Sequence, residues 1–101
     1  MSYFNLTPRA KEDLRNIWRY TKNMWDEAQA DSYVTELYQR FGWLAKQPKL
    51  GKQRIDIHDG YYCFPHRKHL VFYLCYDGHI DIIGVPHKAM DIINYFDVDD
   101  E

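Results

Sequence analysis

Five histidines, His58, His66, His69, His79 and His87, all lie beyond residue 57 of a 101-residue chain, and imidazole is the side chain best suited to acid–base work or metal binding near neutral pH. Their spacing serves neither purpose. His79 and His87 bracket one apolar run, and no second carboxylate or thiolate stands at a metal-like interval from them. His58 and His66 read instead as solvated loop residues, and His69 and His87 as groups satisfying buried or half-buried hydrogen bonds. Cys63 and Cys75 are too few for a disulfide framework and read as core thiols in a reducing compartment. Ser2 and Ser32 are the only serines, neither in a nucleophile elbow, and the glycines at 42, 51, 60, 78 and 84 are too dispersed for a phosphate loop. The chain is therefore expected to carry no catalytic residue, no metal and no cofactor.

Charge is more informative. Between residues 46 and 69 stand Lys46, Lys49, Lys52, Arg54, Arg67 and Lys68 against only Asp56 and Asp59. A sheet that gathered these cations on one side would make a docking surface for RNA, DNA or an acidic protein; the plainer reading is a loop solvated by lysines. Tyr61, Tyr62 and Phe64 offer stacking platforms, although as strand residues they read as core.

The elements that must position these groups follow from periodicity. Tyr3 to Thr7 is β-prone and ends at Thr7-Pro8, an N-cap hydroxyl followed by the residue suited to the first helical position. Ala10, Leu14, Ile17, Trp18, Thr21 and Trp25 then keep one face of a 3.6-residue period. Asp26 with Gln29 starts a second helix, whose stripe runs Ala30, Tyr33, Val34, Leu37, Tyr38, Phe41, Leu44 and Ala45 until Gln47-Pro48 ends it. Two such helices joined within a few residues pack antiparallel. After a polar connection from Pro48 to Gly60 come β-rich runs at Tyr61 to Pro65, His69 to Tyr76 and His79 to Val85, the last two joined by the hairpin signal Asp77-Gly78. His69 to Tyr76 is apolar at both parities and reads as the central strand. The region from His87 to Phe96 reads as one short terminal helix.

A 46% hydrophobic, 17% aromatic chain of this length is one domain, taken as residues 1–96 with a mobile acidic tail at 97–101. Thirteen basic against fifteen acidic side chains give −2, and the four acids of that tail hide a body of about +2, a balance that excludes indiscriminate duplex binding. No basic leader or 18-residue apolar span is visible, so a cytoplasmic protein without membrane contact is expected. The class is α+β: an N-terminal strand, an antiparallel helical hairpin, an antiparallel β-sheet and a short C-terminal helix. Two helices on one side of a four-stranded sheet leave the other face or the hairpin's outer groove open to a partner.

Leu6-Thr7-Pro8 with Ala10, Asp13-Leu14 followed by Ile17-Trp18, Pro48, Leu50-Gly51 and Arg54, Gly60-Tyr61, Phe64-Pro65, His69 to Tyr73, and His87 with Met90-Asp91 together resemble the ParE branch of the RelE/ParE toxin superfamily over residues 4–94. The resemblance implies the toxin of a type II toxin–antitoxin operon, bound and neutralised as a hetero-oligomer by a ParD-like antitoxin. It further implies poisoning of DNA gyrase, with operator DNA reached only indirectly through the antitoxin. Charge clustering assigns the target surface to Lys52, Arg54, Arg67, Lys68 and His87. The antitoxin is expected as a helix, disordered when free, on Leu14, Trp18, Tyr38 and Phe41 before it runs along the sheet.

The superfamily's other branch resembles RelE and YoeB, which cut mRNA in the ribosome. Such cleavage takes a base for the 2′-hydroxyl, cations for the phosphorane and an acid for the leaving oxygen, and Arg54, Arg67 and His87, with Tyr95 more distant, are the groups available. Gly84 and Pro86 depart from that branch, since a basic residue often precedes the histidine and Pro86 removes a ladder donor. Those departures also admit a harmless relative that only binds the antitoxin.

Overall fold

Thr7 decides where the first helix starts. In the computed structural model, which describes residues 2–97, its hydroxyl accepts from the Ala10 N–H at 3.2 Å and donates to the Ile82 carbonyl at 3.0 Å. One side chain thus caps a helix and ties it to the sheet. Strand β1 (Tyr3–Leu6) leads into α1 (Pro8–Met24), and Asp26 caps α2 (Glu27–Lys46) by accepting from the Gln29 N–H at 2.8 Å. Then come β2 (Lys52–Gln53), β3 (Tyr61–His66), β4 (His69–Tyr76), β5 (His79–Gly84) and α3 (Ile92–Asp97).

The α+β class and the element order match the reading above, with two differences. The sheet has five strands, in the order β1-β5-β4-β3-β2, because the polar connection contributes the two-residue β2. It is also mixed: β2 to β5 pair antiparallel, while β1 runs parallel to β5, Phe4 opposite Ile80 and Leu6 opposite Ile82. β4 is central as expected. The helical hairpin covers one sheet face, where Leu14, Ile17, Leu37, Phe41 and Leu44 meet Tyr62, Val71, Tyr73, Ile80 and Ile82. On the opposite face Phe72 is fully buried because Phe96 of α3 packs on it, ring centroids 5.0 Å apart. The terminal helix therefore gives that face local cover. Asp97 belongs to α3, and the remainder of the expected mobile tail lies outside the described residues. No described helix is long and apolar enough to cross a membrane.

Trp25 corrects one reading. The stripe of α1 places it with the core, yet it is 74% exposed, because the helix closes at Met24 and Trp25 is its C-cap. Cys63 is buried and Cys75 half-buried, both free.

The Tyr73 hydroxyl, reaching from β4, bridges two backbone groups of the connection after α2: it accepts from the Gly51 N–H and donates to the Pro48 carbonyl, both at 2.9 Å. Burial pushes its phenol up to about 12. A Cβ on Gly51 would run into that hydroxyl, whereas a Cβ on Gly42 in the middle of α2 meets nothing within 4 Å. Gly51→Ala is accordingly expected to lower stability by about 1–3 kcal/mol, and Gly42→Ala to raise it by about 0.5–1 kcal/mol through helix propensity; urea denaturation of the two variants checks the opposite signs.

Candidate docking groove

Asp13 lies on the stripe side of α1, three residues from Ala10 and four from Ile17, and it is half-buried. Its Oδ2 accepts from the Val85 N–H at 2.8 Å and from the Tyr95 hydroxyl. One carboxylate thus joins α1, the exit of β5 and α3. Burial, and then the Asp13 carboxylate, push the Tyr95 phenol far up. The Arg9 guanidinium covers the Tyr95 ring at 4.5 Å and the Phe96 ring at 5.3 Å, an arrangement favourable to both. Both sequence departures are explained here. A Cβ on Gly84 would collide with the Tyr95 hydroxyl, so glycine is what lets Tyr95 reach Asp13. Pro86 needs no ladder donor because β5 ends at Gly84, and its carbonyl still accepts from the Leu70 N–H at 2.9 Å.

From Pro86 the chain crosses to the β3–β4 turn. His87 bridges to His69, with rings edge to face at 5.3 Å, and the Lys88 N–H donates to the Lys68 carbonyl at 2.9 Å. Arg67 stands first in that two-residue turn with φ 54°, a conformation that favours glycine. Its guanidinium grips Glu36 of α2, Nε to Oε1 at 2.9 Å and Nη2 to Oε2 at 3.3 Å. The strained backbone carries a side chain held in place by the helix.

Tyr33 of α2 and Nδ1 of His69 share a 2.7 Å hydrogen bond. Burial, reinforced by His87, His66 and Lys68, pulls the His69 ring down to about 4, so it is neutral near pH 7. His69 and His87 thus occupy the half-buried, bonded positions expected of them. His66 does not. It is 7% exposed, on the helix-facing side of β3 alongside Tyr62 and Phe64, and takes a 3.3 Å hydrogen bond from Arg40 Nε at Nδ1. Its Nε2 is, among the described residues, the one buried side-chain nitrogen or oxygen without a hydrogen-bond partner. Burial and Arg40 pull its pKa down.

These contacts frame a groove of about 580 Å³ between α1, the tip of the helical hairpin, the β3–β4 turn and residues 85–90. Ile17, Val85 and Pro86 give it an apolar floor, Tyr20, Trp25 and Met90 an exposed apolar rim, and Arg67 and Lys68 a cationic lip. Three of the five residues expected to meet a target, Arg67, Lys68 and His87, converge here. The other two do not. Lys52 and Arg54 lie at the far edge by β2, where Arg54 is held by Asp56 (Nε to Oδ1 3.0 Å, Nη2 to Oδ2 2.9 Å) and lies 5.7 Å over the Phe72 ring on the sheet face away from the helices.

Of the four residues expected to meet an antitoxin, Leu14 at 5% and Phe41 at 0% exposure belong to the core and offer no surface in the folded chain. Their periodicity was that of buried positions. Trp18, half-buried and donating to Asp31 at 2.8 Å, and Tyr38, 42% exposed, remain on the outer face of the hairpin; Asp31 and Tyr38, seven residues apart, share one face of α2. Trp25, Tyr20, Tyr33 and Met90 are groove residues that sequence reasoning missed. The three-residue step from Asp13 back to Ala10 was the available sign that an acid sat on a buried stripe.

A helical hairpin on a mixed sheet, with an open groove that is apolar at its floor and cationic at its lip, defines a small α+β protein without a converged set of acid and base groups among the described residues. The profile of the ParE toxin of type II toxin–antitoxin systems, parDE, matches residues 4–92. Toxin ParE1 of Mycobacterium tuberculosis is 33% identical over 92 residues, covering 90% of this chain and 94% of that one. Toxin ParE1 of Caulobacter vibrioides is 33% identical over 91 residues with the same coverage, and Toxin ParE of Escherichia coli 30% identical over 94 residues, covering 92% and 91%. A solved structure titled as the chromosomal ParDE toxin–antitoxin system from P. aeruginosa shares the fold, with a TM-score of 0.74 at 16% identity over 86% of this chain and 96% of that chain. The chain belongs to the ParE toxin family of type II toxin–antitoxin systems.

Asp13→Ala leaves the Val85 N–H and the Tyr95 hydroxyl without their shared acceptor, and is expected to cost about 2–4 kcal/mol. In the same variant the Tyr95 phenol should titrate at lower pH than in the parent, since the neighbouring carboxylate is gone; chemical denaturation and ultraviolet titration of tyrosinate measure the two effects.

Proposed function

We propose that this ParE-family toxin acts in the cytoplasm by binding, poisoning DNA gyrase through the groove between α1, the hairpin tip and the β3–β4 turn, and that a ParD antitoxin neutralises it. The observation that carries this reading is the convergence of Arg67, Lys68 and His87 on a groove rimmed by exposed Tyr20, Trp25 and Met90. Cations beside exposed aromatic and sulfur side chains are the composition of a macromolecular docking site. The target surface is accordingly narrowed to Arg67, Lys68 and His87, with Lys52 and Arg54 as an outlying second patch.

The same geometry weighs against ribosome-dependent mRNA cleavage as the reading. Arg54 faces the sheet side away from the helices, His69 with His87 lies on the Tyr33 side, and the Tyr95 phenol is locked to Asp13. Of the working groups of that mechanism, Arg67 and His87 meet at the groove, whereas Arg54 and the Tyr95 phenol are held apart from them. For the antitoxin, the outer face of the hairpin at Trp18 and Tyr38 is the proposed helix-docking surface, with Leu14 and Phe41 supporting it from the core.

Arg67→Ala combined with Lys68→Glu is expected to abolish growth arrest and to lower gyrase-mediated DNA cleavage by the purified toxin at least tenfold, with thermal unfolding shifted by only a few degrees; full poisoning by that variant would contradict the assignment. Trp18→Ala with Tyr38→Ala should weaken ParD binding at least tenfold in calorimetric titration while the variant still poisons gyrase. Unchanged ParD affinity would move the antitoxin site elsewhere.

A further inference from the structure

One wall of the groove, the β3–β4 turn, has exposed Arg67 and Lys68 at its tip and meets its neighbours through hydrogen bonds as well as ring contacts. The β3–β4 turn is tied to α2 through Arg67–Glu36 and Tyr33–His69, and to residues 86–88 through Leu70 N–H to Pro86 and Lys88 N–H to Lys68. His69 stands at the crossing of those ties, its ring centroid 5.4 Å from that of Tyr33 and 5.3 Å from that of His87. We propose that His69 is the pin of an acid-labile latch: while uncharged it closes the groove wall against α2, and when it takes up a proton the turn lets go of α2 and of residues 86–88. The inference rests on the reading of the groove as the docking surface and adds its regulation.

The charges around the pin all bear on this. Facing it from the turn are Arg67 and Lys68, from β3 His66, from the segment after β5 His87, and from α2 Tyr33 and Glu36. Across the groove on α1 is Asp13, whose Oδ2 is taken by Val85 and Tyr95. Glu36 is engaged with Arg67, and it lies 3.7 Å from Nε2 of His66 rather than on His69. A proton on His69 would therefore enter a partly dry site among cationic and imidazole groups, with no carboxylate of the described residues hydrogen-bonded to the ring. Opening the wall returns the ring to water and removes that penalty.

The direction follows from linkage. The ring sits near 4 when the wall is closed and at its ordinary 6.5 when exposed, so the open form binds the proton more tightly. Opening is independent of pH above about 7, grows as the pH falls through 6.5, and levels off near 4. Between pH 7 and pH 5 the opening constant should rise about twentyfold.

Native-state hydrogen exchange of the uncomplexed protein measures this at the Leu70 and Lys88 amides. After correction for intrinsic rates, the expected result is an opening constant about twentyfold larger at pH 5 than at pH 7. It should be insensitive to low urea, while the Tyr73 amide of β4 exchanges only with urea-sensitive global unfolding. His69→Gln, whose amide accepts from Tyr33 and does not titrate, should remove the pH dependence. Should that variant not fold, imidazole NMR of the parent supplies the second reading: His69 must titrate well below the ordinary imidazole value of 6.5. A flat opening constant, exchange of Leu70 and Lys88 with the same urea dependence as Tyr73, or His69 titrating at that ordinary value would each overturn the latch. Neither gyrase nor ParD enters this experiment, so its failure leaves the docking reading intact, and a toxin that spares gyrase yet opens with acid leaves the latch intact.

Discussion

The Asp13 carboxylate is the constraint on which the site depends. It accepts from the Val85 N–H and the Tyr95 hydroxyl at one oxygen, and so fixes where β5 leaves the sheet and where α3 returns to it. A half-buried acid is tolerable only when its oxygens are satisfied by donors, and here the donors come from two segments that also pack on α1, Val85 within the core cluster and Tyr95 under the Arg9 guanidinium. Val85 held at that spot sends Pro86 and His87 toward the β3–β4 turn, where they become the floor and inner wall of the groove. Gly84 is the necessary companion: a side chain there would push Tyr95 off Asp13.

The rest of the molecule holds the groove open by keeping its other walls rigid. α1 and α2 bury their stripes on Val71, Tyr73, Ile80 and Ile82, and α2 extends far enough to place Tyr33 and Glu36 beside the turn. The cations at the lip are poised in different ways. Arg67 is oriented by Glu36 and carries an unfavourable backbone angle, whereas Lys68 is exposed and contributes its carbonyl to the structure rather than its charge. The proposed docking surface thus falls on the margin of the fold, where exposed residues of the turn are tied to their neighbours by hydrogen bonds.

Local signals made much of this legible in the sequence. Thr7-Pro8, Asp26 with Gln29 and Asp77-Gly78 each act within a few residues, and each sits where the structure has a cap or a turn. The apolar run of β4 at both parities told of a strand buried on two faces. Long-range choices were not legible: β2 is a strand only because two residues meet β3, and β1 runs parallel because α1 and α2 carry the chain around before β5 forms. Trp25 continues a helical stripe that the backbone has already left. Leu14 and Phe41 obey the same stripe so well that they are core rather than surface. His66 was misread as loop although it alternates with Tyr62 and Phe64, and the Asp13 anchor depends on Tyr95, 82 residues away.

Charge clustering in sequence found the cations of the site but not their partition, since Lys52 and Arg54 are brought to the far sheet edge while Arg67 and Lys68 meet His87 across a strand pair. The central claim is that this second group, together with the exposed aromatic rim, is the surface that meets the target. Hydroxyl-radical footprinting of the toxin, free and bound to gyrase, tests it most directly. The account predicts protection at Tyr20, Trp25 and Met90 with Tyr3 and Tyr76 at the distant sheet end unchanged; protection confined to Tyr3 and Tyr76, with the groove rim as reactive as in the free toxin, would contradict it.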